Sequence, residues 1–132
     1  MENFLFIVGG IIFGIIIKVI YSFTKKKKTL KILEQKAQKT YKKIYTQYKF
    51  NGKKYSFEST KFFDVFFFEH GIYLILWSSF SINGFYLFFE QDKDNILKNE
   101  KNIGRYNIIE YKIDENRIYI KIEKREFILN IN

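Results

Sequence analysis

Between Phe4 and Phe23 the only charged side chain is Lys18, and Lys25, Lys26, Lys27 and Lys28 follow at once. About 20 apolar residues rising ~1.5 Å each match a hydrocarbon core ~30 Å thick, so the run predicts a membrane-spanning helix. Everything downstream is then a small domain tethered at its N-terminus. The opening Met-Glu-Asn lacks the basic n-region of a secretory signal, and Tyr21-Ser22-Phe23-Thr24 lacks a small-residue cleavage site, so the run reads as a retained anchor. Lysines on its C-terminal flank put that flank in the cytoplasm and Met1 outside, as in a single-pass protein of the inner (cytoplasmic) cell membrane. Gly10 and Gly14 form a G-x-x-x-G pair, a candidate contact for a homodimer through the anchor.

The net charge of +9 is unevenly spread, and the distribution excludes more than the sum does. Residues 18–61 hold fourteen lysines against Glu34 and Glu58, whereas residues 62–132 hold nine basic and eleven acidic side chains. The basic excess therefore belongs to the juxtamembrane segment, where it serves topology and anionic headgroups. Lys25, Lys26, Lys27, Lys28 and Lys31 are the expected lipid contacts. A nucleic-acid partner is not expected, because that excess would sit on the folded domain and be rich in Arg.

From Thr29 to Tyr48 there is no Gly or Pro, and Leu30, Leu33, Ala37, Tyr41, Ile44 and Tyr48 recur at steps of three and four. The spacing predicts a basic amphipathic helix over residues 25–47, continuing the anchor of residues 1–24. Its apolar stripe has three possible uses: covering a sheet, pairing with a copy of itself, or lying on the inner leaflet.

Residues 48–132 read as an antiparallel β domain. Asn51-Gly52 suggests a tight type I′ hairpin in which Tyr48 faces Tyr55 and Phe50 faces Lys53. Phe62 to Phe68, Ile72 to Trp77 and Phe85 to Phe89 are apolar on both faces, and such strands must be covered on both. Phe62, Phe66, Phe68, Tyr73 and Trp77 are the candidate partner surface. After a polar loop from Gln91 to Asn102, alternation returns around Ile109–Ile113, Ile118–Ile122 and Phe127–Ile131. Gly71 to Phe89 carries no charge and is long enough for a second span, but its central Ser78, Ser79, Ser81, Asn83 and Gly84 favour two strands and a turn.

Chemistry is sparse. The chain has no cysteine, and His70 is its only histidine, in a turn position. Asp92 and Asp94 imitate the start of a calcium loop, but Ile96 and Leu97 stand where the next ligand and the required Gly belong. Asp64, within an apolar strand, is expected to cap a backbone group or meet a lysine. No catalytic residue, metal site or cofactor is expected.

The order of segments, with Gly71-Ile-Tyr-Leu74 before Phe80-Ser-Ile-Asn-Gly-Phe-Tyr-Leu-Phe-Phe89, resembles small bacterial membrane-anchored proteins of pleckstrin-homology-like character. The resemblance covers residues 4–90. It departs from the family pattern where Tyr86-Leu-Phe-Phe-Glu-Gln91 replaces an I-P-W, and it ends in a strand in place of a closing helix. It implies a partial barrel and no catalytic residue.

The expectation is thus an α+β chain: a transmembrane helix, a basic amphipathic helix, and a rolled sheet of about 7–8 strands. Its expected work is non-catalytic, an interaction module held at anionic lipid and meeting an unidentified protein partner. Two alternatives stand beside it: an immunity-type protein that binds a toxin through its aromatic sheet, and a two-span subunit of a larger complex.

Overall fold

The computed structural model describes residues 2–131; Met1 and Asn132, the outer limits of the expected anchor and β domain, lie outside the described residues. Helix α1 runs unbroken from Glu2 to Lys36. Its apolar part is wholly exposed, and it is long and apolar enough to cross a membrane. The helix ends abruptly. The Ala37 N–H still donates to the Leu33 carbonyl, but the Gln38 N–H already donates to the Phe67 carbonyl, at 2.8 Å each.

The expected helix over residues 25–47 is therefore too long, because strand β1 begins at Lys39 and runs to Asn51. The reason is a β-bulge. Tyr41 pairs with Val65 and Ile44 with Phe63, so Lys42 and Lys43 together oppose Asp64 alone. The extra residue turns a step of two into a step of three, which in sequence imitates a helical face. Lys43 takes φ 52° there. Its N–H donates to Asp64 Oδ1 at 2.8 Å, so Asp64 caps a backbone group as expected.

Seven further strands follow: β2 (Ser56–Phe67), β3 (Gly71–Leu76), β4 (Gly84–Phe88), β5 (Ile103–Asn107), β6 (Glu110–Asp114), β7 (Arg117–Ile122) and β8 (Arg125–Asn130). They form one sheet in the order β5-β4-β3-β2-β1-β8-β7-β6. Every pairing is antiparallel except β4 with β5. Residues 71–89 supply β3 and β4 in the middle of this sheet, not a second helix.

The β1–β2 hairpin corrects the expected register. Asn51 pairs with Ser56, Phe50 with Phe57 and Tyr48 with Ser59. Neither Asn51 nor Gly52 has the positive φ a type I′ turn requires. The Asn51 N–H is instead committed to the Lys124 carbonyl at 2.7 Å, and a loop from Gly52 to Tyr55 closes with a 3.0 Å hydrogen bond between them. That longer loop brings Phe50 within 5.6 Å of Tyr55 and 5.5 Å of Phe57, centroid to centroid.

The outermost strands, β5 and β6, are joined by Ile108 and Ile109 alone, a connection of roughly 10 Å at most. The two edges must meet, so the sheet rolls into a curled half-barrel. The Ile108 N–H donates to Phe88 on one side of the seam (2.8 Å) and the Ile109 N–H to Lys121 on the other (2.7 Å). The concave side holds Phe63, Val65, Ile72, Leu74, Leu87, Ile120 and Phe127. On the convex side Leu33 of α1, flanked by Leu30 and Ala37, lies over Phe66, Tyr73, Ile75 and Tyr86. This explains why β2 and β3 are apolar on both faces while β7 and β8 alternate. The stripe of α1 covers the sheet.

The loop after β4 is held by Arg105 of β5. Its guanidinium donates to both carboxylate oxygens of Asp92, and Nη2 donates to the Asp94 carbonyl at 2.8 Å. It also stacks over Tyr86, 4.7 Å from the ring centroid. The pair that imitated a calcium loop is thus the anchor of a loop. Hydrogen bonds from Arg105 lower the Asp92 pKa. A carboxylate with a depressed folded pKa contributes stability above its unfolded value and loses it as pH falls through the folded one. Asp92→Asn should therefore be less stable than the parent at neutral pH, and the gap should close below about pH 4, as acid denaturation curves of the two would show.

Candidate functional site

Where α1 leaves the apolar run it forms one wall of an open cleft of about 480 Å³, with the β1 bulge and Trp77 opposite. Lys27, Lys28 and Lys31 come from the helix and Lys42 from the bulge, while Thr24 marks the end of the apolar run. Asp64 and Phe66 also line it, Asp64 holding the bulge from beneath. Lys42 meets Glu34 at 3.5 Å. Among the described residues Lys27, Lys28 and Lys31 make no ion pair. Lys27 Nζ lies 4.8 Å from the Phe23 ring centroid, one turn back along the helix.

Trp77 follows β3 directly and stands 48% exposed. Its N–H donates to the Phe62 carbonyl at 2.9 Å, which fixes its level on the sheet. Lys43 Nζ lies 4.3 Å from the Trp77 ring centroid and 5.5 Å from that of Phe62. The bulge therefore does two things: it turns Lys42 into the cleft and lays Lys43 over the aromatic pair.

The five expected headgroup lysines separate sharply. Lys26 is buried, and its Nζ donates to the carbonyls of Leu76 (2.9 Å), Trp77 (3.3 Å) and Ser79 (2.6 Å). Three donors meet three acceptors, so no donor remains for a headgroup. Burial lowers its pKa while the nearby Asp64 carboxylate opposes that shift. Lys25 pairs with Glu100 at 3.4 Å, away from the cleft. Lys27, Lys28 and Lys31 line the cleft together, and Lys42, outside the expected set, joins them. The signal for Lys26 was present: it lies four residues before Leu30, on the same helical stripe as Leu33 and Ala37.

The candidate partner surface is likewise divided. Phe66 and Tyr73 are buried beneath α1 and Phe68 is half-buried, so they are core. Phe62 and Trp77 alone of that set are exposed. On the apolar part of α1, a Cβ at Gly10 or Gly14 would meet nothing within 4 Å.

The cleft offers positive charge, one indole face and a position beside the apolar helix. No family model, curated protein or solved structure matches this chain.

Proposed function

We propose that the chain is a non-catalytic interaction module anchored in the inner membrane. Residues 2–24 span the bilayer with the N-terminus outside, and the half-barrel is displayed in the cytoplasm. The cleft between α1 and the β1 bulge holds an anionic lipid headgroup. The observation that carries this is the convergence of Lys27, Lys28, Lys31 and Lys42 on one open cleft immediately after the apolar run. The curled half-barrel also supports the pleckstrin-homology-like resemblance, although β5 is parallel to β4 and β8 is the last element of the described residues. A toxin-binding aromatic sheet has less support, because Phe66 and Tyr73 lie under the helix.

The full chain, reconstituted in phosphatidylcholine vesicles with trace dansyl-labelled lipid, tests this by energy transfer from Trp77, its only tryptophan. Transfer to dansyl-phosphatidylglycerol should exceed transfer to dansyl-phosphatidylcholine. Lys27→Gln/Lys28→Gln/Lys31→Gln should abolish the excess, since each lysine near an anionic surface contributes about 1 kcal/mol, roughly fivefold in affinity. Equal transfer to the two lipids in the parent chain would sink the headgroup assignment.

A further inference from the structure

The membrane-facing end of the half-barrel carries exposed aromatic side chains that neither core uses. Its orientation follows from hydrogen bonds. Lys26 meets the end of β3, at Leu76, Trp77 and Ser79, whereas Gln38 meets Phe67, which pairs with Ile72 near the start of β3. α1 therefore runs antiparallel to β3, and β3 points toward the side from which the span departs. Antiparallel pairing through β2 gives β1 the same direction. Tyr45 of β1 pairs with Phe62, whose carbonyl accepts from Trp77, so these three share the level of Lys26. The β1–β2 ladder then continues from Thr46 to Asn51 on the side of the span.

At this end Trp77 is 48%, Phe80 64% and Tyr55 65% exposed, and Tyr45, Phe57 and Phe62 are also exposed. Lys43 lies over Trp77 and Phe62, while Lys49, Lys53, Lys54 and Lys61 are spread along the same hairpin. Exposed Trp, Tyr and Phe among lysines, at the level where an apolar helix becomes a basic one, are the composition of a membrane–water interface. We propose that this aromatic rim enters the headgroup region of the leaflet from which the span emerges, so that the half-barrel is seated on the bilayer at a second place and does not swing free on its anchor. The occupant of the rim is the lipid surface. The proposal rests on the reading of α1 as a span, but not on a headgroup in the cleft.

The single tryptophan provides the test. The full chain is reconstituted in phosphatidylcholine vesicles, with and without phosphatidylglycerol, containing lipids brominated at shallow or deep acyl positions. Flotation of the vesicles first establishes that the chain is inserted. Trp77 emission should be blue-shifted and quenched at least ~2-fold by the shallow bromines, more than by the deep ones, and should resist aqueous iodide. Quenching should persist without phosphatidylglycerol, because apolar burial drives it, whereas selectivity of the lysine cleft needs the anionic lipid. Moving the probe in Trp77→Phe/Phe80→Trp should give the same result from a position outside the cleft. Protein that floats yet shows iodide-sensitive, bromine-insensitive emission at both positions would overturn the rim and leave the anchor standing, with the aromatics free for a protein. Protein that fails to float would overturn both.

Discussion

Gly84→Ala is expected to lower the stability of the half-barrel by about 4 kcal/mol, most of what a small domain has. Gly84 opens β4, where the strand enters between β3 and β5. It pairs with Ile75 and Ile103, and its N–H donates to the Asn102 carbonyl at 3.2 Å. Its φ is +154°, and a Cβ built there would stand 1.9 Å from the Leu74 carbonyl oxygen and 2.9 Å from the carbon. Both obstacles are backbone, so no rotamer change removes them. Overpacking of about 1–3 kcal/mol adds to backbone strain of similar size and to ladder bonds lost as β4 shifts. Gly104 is the matched comparison. There the three atoms nearest a Cβ all belong to the Tyr106 side chain, the first at 2.6 Å, and a half-buried side chain gives more readily than backbone. Chemical denaturation in detergent, followed by Trp77 emission, should separate Gly84→Ala from Gly104→Ala by at least ~2 kcal/mol. Equal midpoints would mean that the entry of β4 is more pliable than its geometry implies.

What the sequence makes legible depends on whether local pattern and tertiary contact agree. The apolar run of α1 is readable because length and apolarity alone make it a candidate span, with no tertiary contact needed. β7 and β8 are readable because one face is concave core and the other is not, so alternation survives. The two-faced apolarity of β2 and β3 correctly demands two covers, α1 and the inside of the roll. The bulge at Lys42–Lys43 defeats periodicity, since one inserted residue makes Tyr41 and Ile44 share a face at helical spacing. The hairpin register fails for a related reason: Asn51-Gly52 is turn chemistry, but the Asn51 N–H is claimed by Lys124, far along the chain. β5 has no local signature, because Ile103 is buried in the cluster of Leu33, Tyr86 and Leu97, which only the tertiary fold assembles. In the candidate site, the lysines of α1 are visible as a run and Trp77 as a candidate surface residue, while Lys42 is turned into the cleft only by the bulge.

The run of four lysines makes the sharpest case, and the second large effect is expected there. Lys26→Met should cost about 3 kcal/mol, whereas Lys27→Met and Lys28→Met should cost under about 0.5 kcal/mol, as surface substitutions do. Lys25→Met should stay within about 1 kcal/mol, because Lys25 is exposed and its ion pair with the half-buried Glu100 is partly solvated. Replacing a buried charge by an apolar side chain of similar length is often neutral when its partner charge goes as well. Here the partners are the carbonyls of Leu76, Trp77 and Ser79, which remain where β3 ends and lose their donor. Leaving such groups unpaired costs about 1–3 kcal/mol when they are buried, and partial access to water at the loop brings the three together to roughly the stated sum. The substitution also strips Asp64, beneath the bulge, of a nearby positive charge. Lys26→Arg should recover only part of the loss, because a planar fork does not converge on three carbonyls as an ammonium does. The damage should be local. Hydrogen exchange should quicken in β3 and in the Leu30–Lys36 turns of α1 as the helix lifts from Tyr73 and Tyr86, while β7 and β8 keep their protection. A Lys26→Met chain with the midpoint and exchange pattern of Lys28→Met would show that water replaces the ammonium. The helix would then be held chiefly by Leu30, Leu33 and Ala37.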